Sequence, residues 1–245
     1  MIAGLAESME EAVGRGVFPG AALWVERAGL CLHASAHGQC RSDETGPIVG
    51  LGTCFDLASL TKILSSTSLM MLACDRGELD LAERGIDVLP GVSDERVTLR
   101  HLLEHSSGLV AWRPYFEAVA EGKRARAAGQ KAIRHRVLAE ALQRAPGEQA
   151  EYSDLGFILL DWILEKRLGA PCDALFAERV AKPLGIPDLF FIDLKDSDKA
   201  KAARAGRNFA ATERCPWRGR VLVGEVHDDN TWAMGGVGGA AGLCG

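Results

Sequence analysis

The sequence predicts a mixed α+β chain, and three features carry that expectation. Residues 21–26 and 30–36 are short apolar stretches on either side of Arg27-Ala28-Gly29, which reads as a β-hairpin. Residues 56–76 run without Gly or Pro, and Leu57, Leu60, Ile63, Leu64, Leu69, Met70, Met71 and Leu72 cover most of a helical circumference. A helix apolar nearly all round belongs in a domain interior. From Glu78 onward the signals are mainly helical.

In chain order, residues 2–14 form an amphipathic pattern ended by Gly14 and Gly16, and Phe18-Pro19-Gly20 is a turn into the hairpin. Residues 37–53 are Gly-rich and polar and read as a loop delivering the chain to Phe55. Gly77 stops the long helix, and Leu89-Pro90-Gly91 is a turn. Thr98 can cap a helix over 99–104, which Ser106-Ser107-Gly108 ends. Residues 115–144 hold one or two helices, and Pro146-Gly147 breaks the chain. A further helix over 155–168 closes at Gly169 and Pro171, and a last one spans 174–182 before Pro183-Leu184-Gly185-Ile186-Pro187. A polar stretch with Lys195, Lys199, Lys201, Arg204 and Arg207 follows Asp193, and there is no internal repeat.

Composition narrows the partners. A chain of 245 residues, 47% hydrophobic and with net charge −5, is a soluble globular protein with room for one sizeable core or two lobes. The acidic balance gives no reason to expect nucleic acid or an anionic membrane. Lys123, Arg124, Arg126, Lys131, Arg134 and Arg136 form a basic cluster, read as a solvated helix face. Seven cysteines without a C-x-x-C pair read as reduced core thiols of a cytoplasmic protein. Glu7, Glu10 and Glu11 near the start argue against a signal peptide, and no apolar run approaches the ~20 residues of a membrane span.

The chemistry concentrates in Ser59 and Lys62. Three residues apart on a helix puts both on one face, so the ammonium reaches the hydroxyl. Burial favours a neutral Lys, and a neutral Lys beside a Ser is a base beside a nucleophile. A helix N-terminus adds N–H groups suited to an oxyanion. Alone, S-x-x-K is weak, because an N-cap Ser and a snorkelling Lys explain it equally well. Tyr152, on a turn before an apolar helix, can point into a cavity and complete a proton-shuttling set. Two other patterns compete. His101-Leu102-Leu103-Glu104-His105 fits the zinc pattern H-x-x-E-H, with both His at i and i+4, but no third ligand is announced downstream. Gly235-Gly236-Val237-Gly238-Gly239 has the density of a dinucleotide loop without a helix after it.

Several spaced segments then agree in order. They are Phe55-Asp56-Leu57-Ala58-Ser59-Leu60-Thr61-Lys62, Val97-Thr98-Leu99-Arg100-His101-Leu102-Leu103-Glu104-His105-Ser106-Ser107-Gly108-Leu109, Pro146-Gly147-Glu148, Tyr152-Ser153-Asp154-Leu155-Gly156, Pro183-Leu184-Gly185 and Val226-His227-Asp228-Asp229-Asn230. Together they resemble the class C β-lactamase, DD-peptidase and EstB-type esterase family of penicillin-recognising serine hydrolases. The resemblance implies a β-lactamase/transpeptidase-like α+β fold, an antiparallel sheet flanked by helices plus an inserted all-helical lobe. Residues 1–78 would begin the α/β lobe, 79–205 form the mainly helical lobe, and 206–245 return toward the first. It also implies that Ser59 is the acylated nucleophile, Lys62 its activating partner and Tyr152 a proton relay, with Ser59 N–H as half of the oxyanion hole. Asp154, Trp112 and His227 are the candidate substrate-binding residues. The expected substrates are small esters, amides or β-lactams, with no metal and no cofactor, and the His pair becomes scaffold.

Two departures from the family pattern matter. Asp154 stands where many members have Asn, so a donor to a substrate carbonyl is replaced by an acceptor. A carboxylate there would also keep Lys62 charged and make it a poorer base. That leans toward ester-like or amine-bearing substrates. The second departure is that no K-T-G or H-T-G triad follows Tyr152. The chain therefore reads as C-terminally incomplete, lacking the strand with the second oxyanion donor, and weak turnover is the expected consequence. The alternatives are a non-catalytic binding protein of the same fold and, third, a zinc peptidase built on His101, Glu104 and His105.

Overall fold

Ala28 and Gly29, with φ of 50° and 78°, close the N-terminal hairpin in the left-handed conformation that a two-residue turn requires. In the computed structural model, which describes residues 4–43, 46–92 and 94–245, this turn joins β1 (Gly20–Arg27) to β2 (Leu30–Gly38). The pairing is antiparallel from Gly20–Gly38 onward, with a bulge at Val25/Glu26. Helix α1 (Leu5–Gly14) packs on β2. Residues 2 and 3 of the expected first helix, and 44 and 45 of the expected loop, lie outside the described residues.

The later elements are α2 (Ser68–Asp75), α3 (Gly85–Val88), α4 (Leu99–Leu103), α5 (Ala127–Leu138), α6 (Asp154–Leu168), α7 (Cys172–Phe176), α8 (Lys182–Leu184), β3 (Phe190–Phe191), α9 (Ser197–Arg204), β4 (Ala211–Cys215), β5 (Arg220–Val223), α10 (Asp229–Ala233) and β6 (Leu243–Cys244). Strands pair antiparallel as β1–β2, β3–β6 and β4–β5. The chain divides into two compact units. One runs to Asp56 and takes back Arg204–Gly224 and Gly245; the other is Leu57–Ala203 with Glu225–Cys244. In the first unit, Cys54 N–H donates to the Asn208 carbonyl, and Phe55 and Gly245 exchange backbone hydrogen bonds. No helix among the described residues is long and apolar enough to cross a membrane. None of the seven cysteines is in a disulfide, and five of them are buried.

The second unit is built round α6, whose residues 155–161, Ile163 and Leu164 are all buried. Ser153 caps its start by accepting from Gly156 N–H, and Gly169 ends it at φ 76°. Helices α4 and α5 pack against it. The capping residue of α4 is Thr98, as the sequence suggests, and His101 closes the box by accepting from Thr98 N–H through Nδ1. The basic cluster is not wholly a solvated face. Arg134 is buried on α5 and bonds Asp161 at 2.7 Å and Glu165 at 2.5 Å on α6. A buried guanidinium is retained only with such partners.

The serine segment departs from a continuous α-helix. A turn at Ala58-Ser59 leads into helix at Leu60, and Lys62–Thr67 is π-helical before α2 begins. Hydroxyls supply bonds that the wider turns release: Thr67 Oγ1 donates to Lys62 O at 2.8 Å and Ser68 Oγ to Ile63 O at 3.2 Å. Nor is the helix buried all round, since Ile63 is 64% and Met71 67% exposed. Gly77 ends it as expected, with Glu78 N–H on Ala73 O and Gly77 N–H on Cys74 O.

The glycine-rich stretch after α10 is buried and threads close to this segment and α6. Its function is steric: a Cβ on Gly239 would meet Phe157 O at 2.5 Å, Asp161 Cβ at 2.8 Å and Ser66 Oγ at 2.8 Å. Ser66 Oγ donates to Gly239 O at 3.0 Å, and β6 beyond it returns Leu243 O to Leu57 N–H. Gly239→Ala should therefore cost about 1–3 kcal/mol in urea unfolding, the usual range for overpacking. An unchanged midpoint would mean that this segment is not tightly threaded.

Candidate active site

Lys62 is 3% exposed and its Nζ has three polar neighbours. It donates to Ser59 Oγ at 3.0 Å and to Ala240 O at 2.8 Å, and forms an ion pair with Asp154 Oδ1 at 2.6 Å. Ser59 Oγ and the Ala240 carbonyl accept hydrogen bonds from the ammonium, and the Asp154 carboxylate balances its charge. They come from three separated stretches: the turn before the π-helix, the N-terminus of α6, and the glycine-rich return. Close packing at Gly239 is what lets the next residue's carbonyl approach Nζ.

Ser59 sits just after Ala58, whose φ of 45° is unusual for a residue with a Cβ. Such strain typically costs ~1–3 kcal/mol and persists where the surroundings over-determine it. Leu60, Thr61 and Lys62 N–H are bonded to Leu57, Ala58 and Ser59 carbonyls, while Ser59 N–H makes no hydrogen bond among the described residues. That leaves it available to a ligand oxygen.

The Tyr152 ring lies 4.9 Å from Lys62 Nζ, and the Phe157 ring 5.7 Å away. Tyr152 is 51% exposed and lines, with Ser59, Lys62, Ile63, Leu103, His105 and Phe157, a cavity of about 500 Å³. The sequence-predicted Ser59, Lys62, Tyr152 and Asp154 are therefore brought together. Trp112 and His227 are not among the residues lining this cavity. Trp112 is 42% exposed against Phe116, one residue after Ala111, whose carbonyl accepts Asp154 N–H. His227 is exposed. Its motif acts through Asn230, which donates to Arg113 O and accepts from Phe116 N–H, fixing the stretch after Trp112.

The metal-binding geometry suggested for His101, Glu104 and His105 does not form. Helix α4 stops at Leu103, and His105 turns away with φ 59°, so the i, i+4 relation is lost. Each imidazole Nδ1 accepts a backbone N–H, His101 from Thr98 and His105 from Ser153, and Glu104 pairs with Arg100. No group of three His, Cys, Asp or Glu side chains suited to a metal occurs among the described residues. Sequence reading missed two contributors. The Ala240 carbonyl has no residue-type signature, and the only hint was glycine density. His105 was visible as a residue but not as a neighbour of Tyr152.

The family described as Beta-lactamase matches residues 5–245. An N-acetylmuramyl-L-alanine amidase of Bacillus subtilis (strain 168) is 30% identical over 253 residues, 92% of this chain and 56% of the relative. Among solved structures, SurE superposes with a TM-score of 0.70 at 27% identity, over 98% of this chain and 50% of that one. The octameric penicillin-binding protein homologue from Pyrococcus abyssi gives 0.76 at 21% identity, over 100% and 53%, a likeness of fold. The chain spans about half the length of the curated relatives it matches. With a family match across nearly all of its residues, the chain belongs to the Beta-lactamase family.

Proposed function

We propose that the Ser59 site carries out two-step acyl transfer on small ester, amide or β-lactam carbonyls. The observation that carries this reading is the 3.0 Å contact between Ser59 Oγ and a buried Lys62 Nζ whose other two neighbours can only accept. To take the Ser59 proton, Lys62 must first give one up. It can then keep one N–H on Ala240 O and one on Asp154, leaving its lone pair facing the single neighbour able to donate, Ser59 Oγ–H.

Ser59 Oγ then bonds the substrate carbonyl carbon as its proton passes to Lys62, and the carbonyl oxygen becomes an oxyanion beside Ser59 N–H. Collapse breaks the bond to the alcohol or amine, which leaves with a proton relayed from Lys62 through Tyr152, whose ring flanks Nζ. Water attacks the acyl-enzyme by the reverse route and releases the acid. Asp154 offers a substrate an acceptor and no donor, which favours esters or amine-bearing acyl groups over amides that need a donor to their side-chain carbonyl.

Turnover of a p-nitrophenyl ester and a chromogenic β-lactam by four proteins tests the reading. Lys62→Ala should lower acylation by about 10²–10⁴-fold, the usual worth of a positioned base. Lys62→Arg should not rescue it, because a guanidinium does not give up its proton. Wild-type rates in either variant would sink the role assigned to Lys62. Asp154→Asn should raise the ratio of β-lactam to ester acylation, and an unchanged ratio would show that Asp154 does not face substrate.

A further inference from the structure

The turn that carries Tyr152 is bonded on both of its sides to a single residue, His105, while Ser153 Oγ also donates to Val110 O at 2.7 Å. His105 O accepts from Glu151 N–H at 2.7 Å, and His105 Nδ1 accepts from Ser153 N–H at 3.0 Å. Its ring also lies 4.6 Å from the Tyr152 ring and 5.1 Å from that of Phe157. The residue on each side of Tyr152 is thus bonded to His105, and Tyr152 itself is packed on it. His105 reaches this position only through a φ of 59°, a left-handed conformation uncommon for a β-carbon residue. Backbone strain retained beside a cavity is a reason to look for a role.

The chemistry of the contact makes it conditional. A backbone N–H needs a lone pair, which Nδ1 has only while the ring is neutral with its proton on Nε2. A proton on Nδ1 would set two donors against each other. Burial, and next the Lys62 charge, hold the His105 imidazole below the usual histidine range, opposed by the Asp154 carboxylate. The charged groups facing it are therefore Lys62 from the π-helix and Asp154 from α6. Glu151 on the turn is itself paired with Arg144, and Glu104, the preceding residue, is paired with Arg100. The sign follows. In the unfolded chain the imidazole takes a proton more readily, so the clamp contributes fully above about pH 6.5 and is lost as pH falls through the lower folded-state value.

We propose that His105 is a positioning residue that fixes Tyr152 for proton transfer, and that its protonation releases the Tyr152 turn and shuts the site down in acid. This rests on the reading of Ser59 and Tyr152 given above, and adds an acid-sensitive latch to it. Asn is the informative replacement: its Oδ1 can accept the Ser153 N–H where Nδ1 does, it tolerates positive φ, and it does not titrate.

The experiment is a pH titration from 8.5 to 5 of the wild-type chain, His105→Asn and His105→Ala. Two readouts are followed: the Ser153 amide resonance beside the His105 ring signals, and the rate of covalent labelling by a fluorophosphonate. In the wild type the Ser153 amide should shift with the same midpoint as the His105 ring, below 6.5, and labelling should fall with it. His105→Asn should label faster than His105→Ala at pH 7.5 and lose that acid limb. His105→Ala should label about 10²-fold more slowly, the scale of loss from a small misplacement of a catalytic group. A Ser153 amide that ignores the His105 titration, or an acid limb with the same midpoint in His105→Asn, would overturn the proposal. If His105→Ala does not fold, the wild type and His105→Asn still decide it. A chain that never labels, yet whose Ser153 amide follows His105, refutes the acyl-transfer reading and leaves the clamp standing.

Discussion

A lysine ammonium almost wholly removed from water is the constraint on which the rest of the second unit depends. An unpaired buried charge costs several kcal/mol, and removing one partner of a buried pair typically costs ~3–5 kcal/mol. Lys62 meets that requirement with Ser59, Asp154 and the Ala240 carbonyl, partners drawn from beginning, middle and end of the unit. Each has to be delivered accurately. Asp154 comes at the first turn of α6, so the cap made by Ser153 bears directly on the site. Ala240 arrives only because Gly239 permits backbone to lie against Phe157 and Ser66.

The same site concentrates local strain. Ala58 and His105 both adopt left-handed backbone, and the helix between Lys62 and Thr67 is π-wound. These conformations survive because the neighbouring scaffold is well satisfied. Helix α6 is apolar on nearly every face and is locked to α5 by Arg134 with Asp161 and Glu165. Burial raises the Asp161 carboxyl above the usual carboxylate range, while Arg134 pulls the other way. A rigid α6 and a strained nucleophile turn are complementary, since the first holds Asp154 and Phe157 steady while the second aims Ser59.

The legible part of this protein was the part written in side-chain types and spacing. Ser59 and Lys62 stand one turn apart, Tyr152 precedes an apolar helix, and Thr98 and Gly77 mark helix ends by their own chemistry. What stayed hidden depends on tertiary position. Ala240 contributes a carbonyl that any residue could supply, and Arg134 looks on the page like its exposed neighbours. His101 and His105 share a metal-like spacing that the early end of α4 dissolves. The exposed Ile63 and Met71 could not be foreseen either, because hydropathy says which side chains favour burial and not whether a neighbour covers them.

The central claim is that Ser59 is the atom donor to an acyl-enzyme, and its most direct test is the identity of the modified residue. The chain is exposed to a β-lactam or an activated ester, quenched in acid, digested, and its peptides are sequenced by tandem mass spectrometry. A single acyl adduct on Ser59, absent from Ser59→Ala, is the predicted result. An adduct on any other serine, or one that persists in Ser59→Ala, would contradict the account.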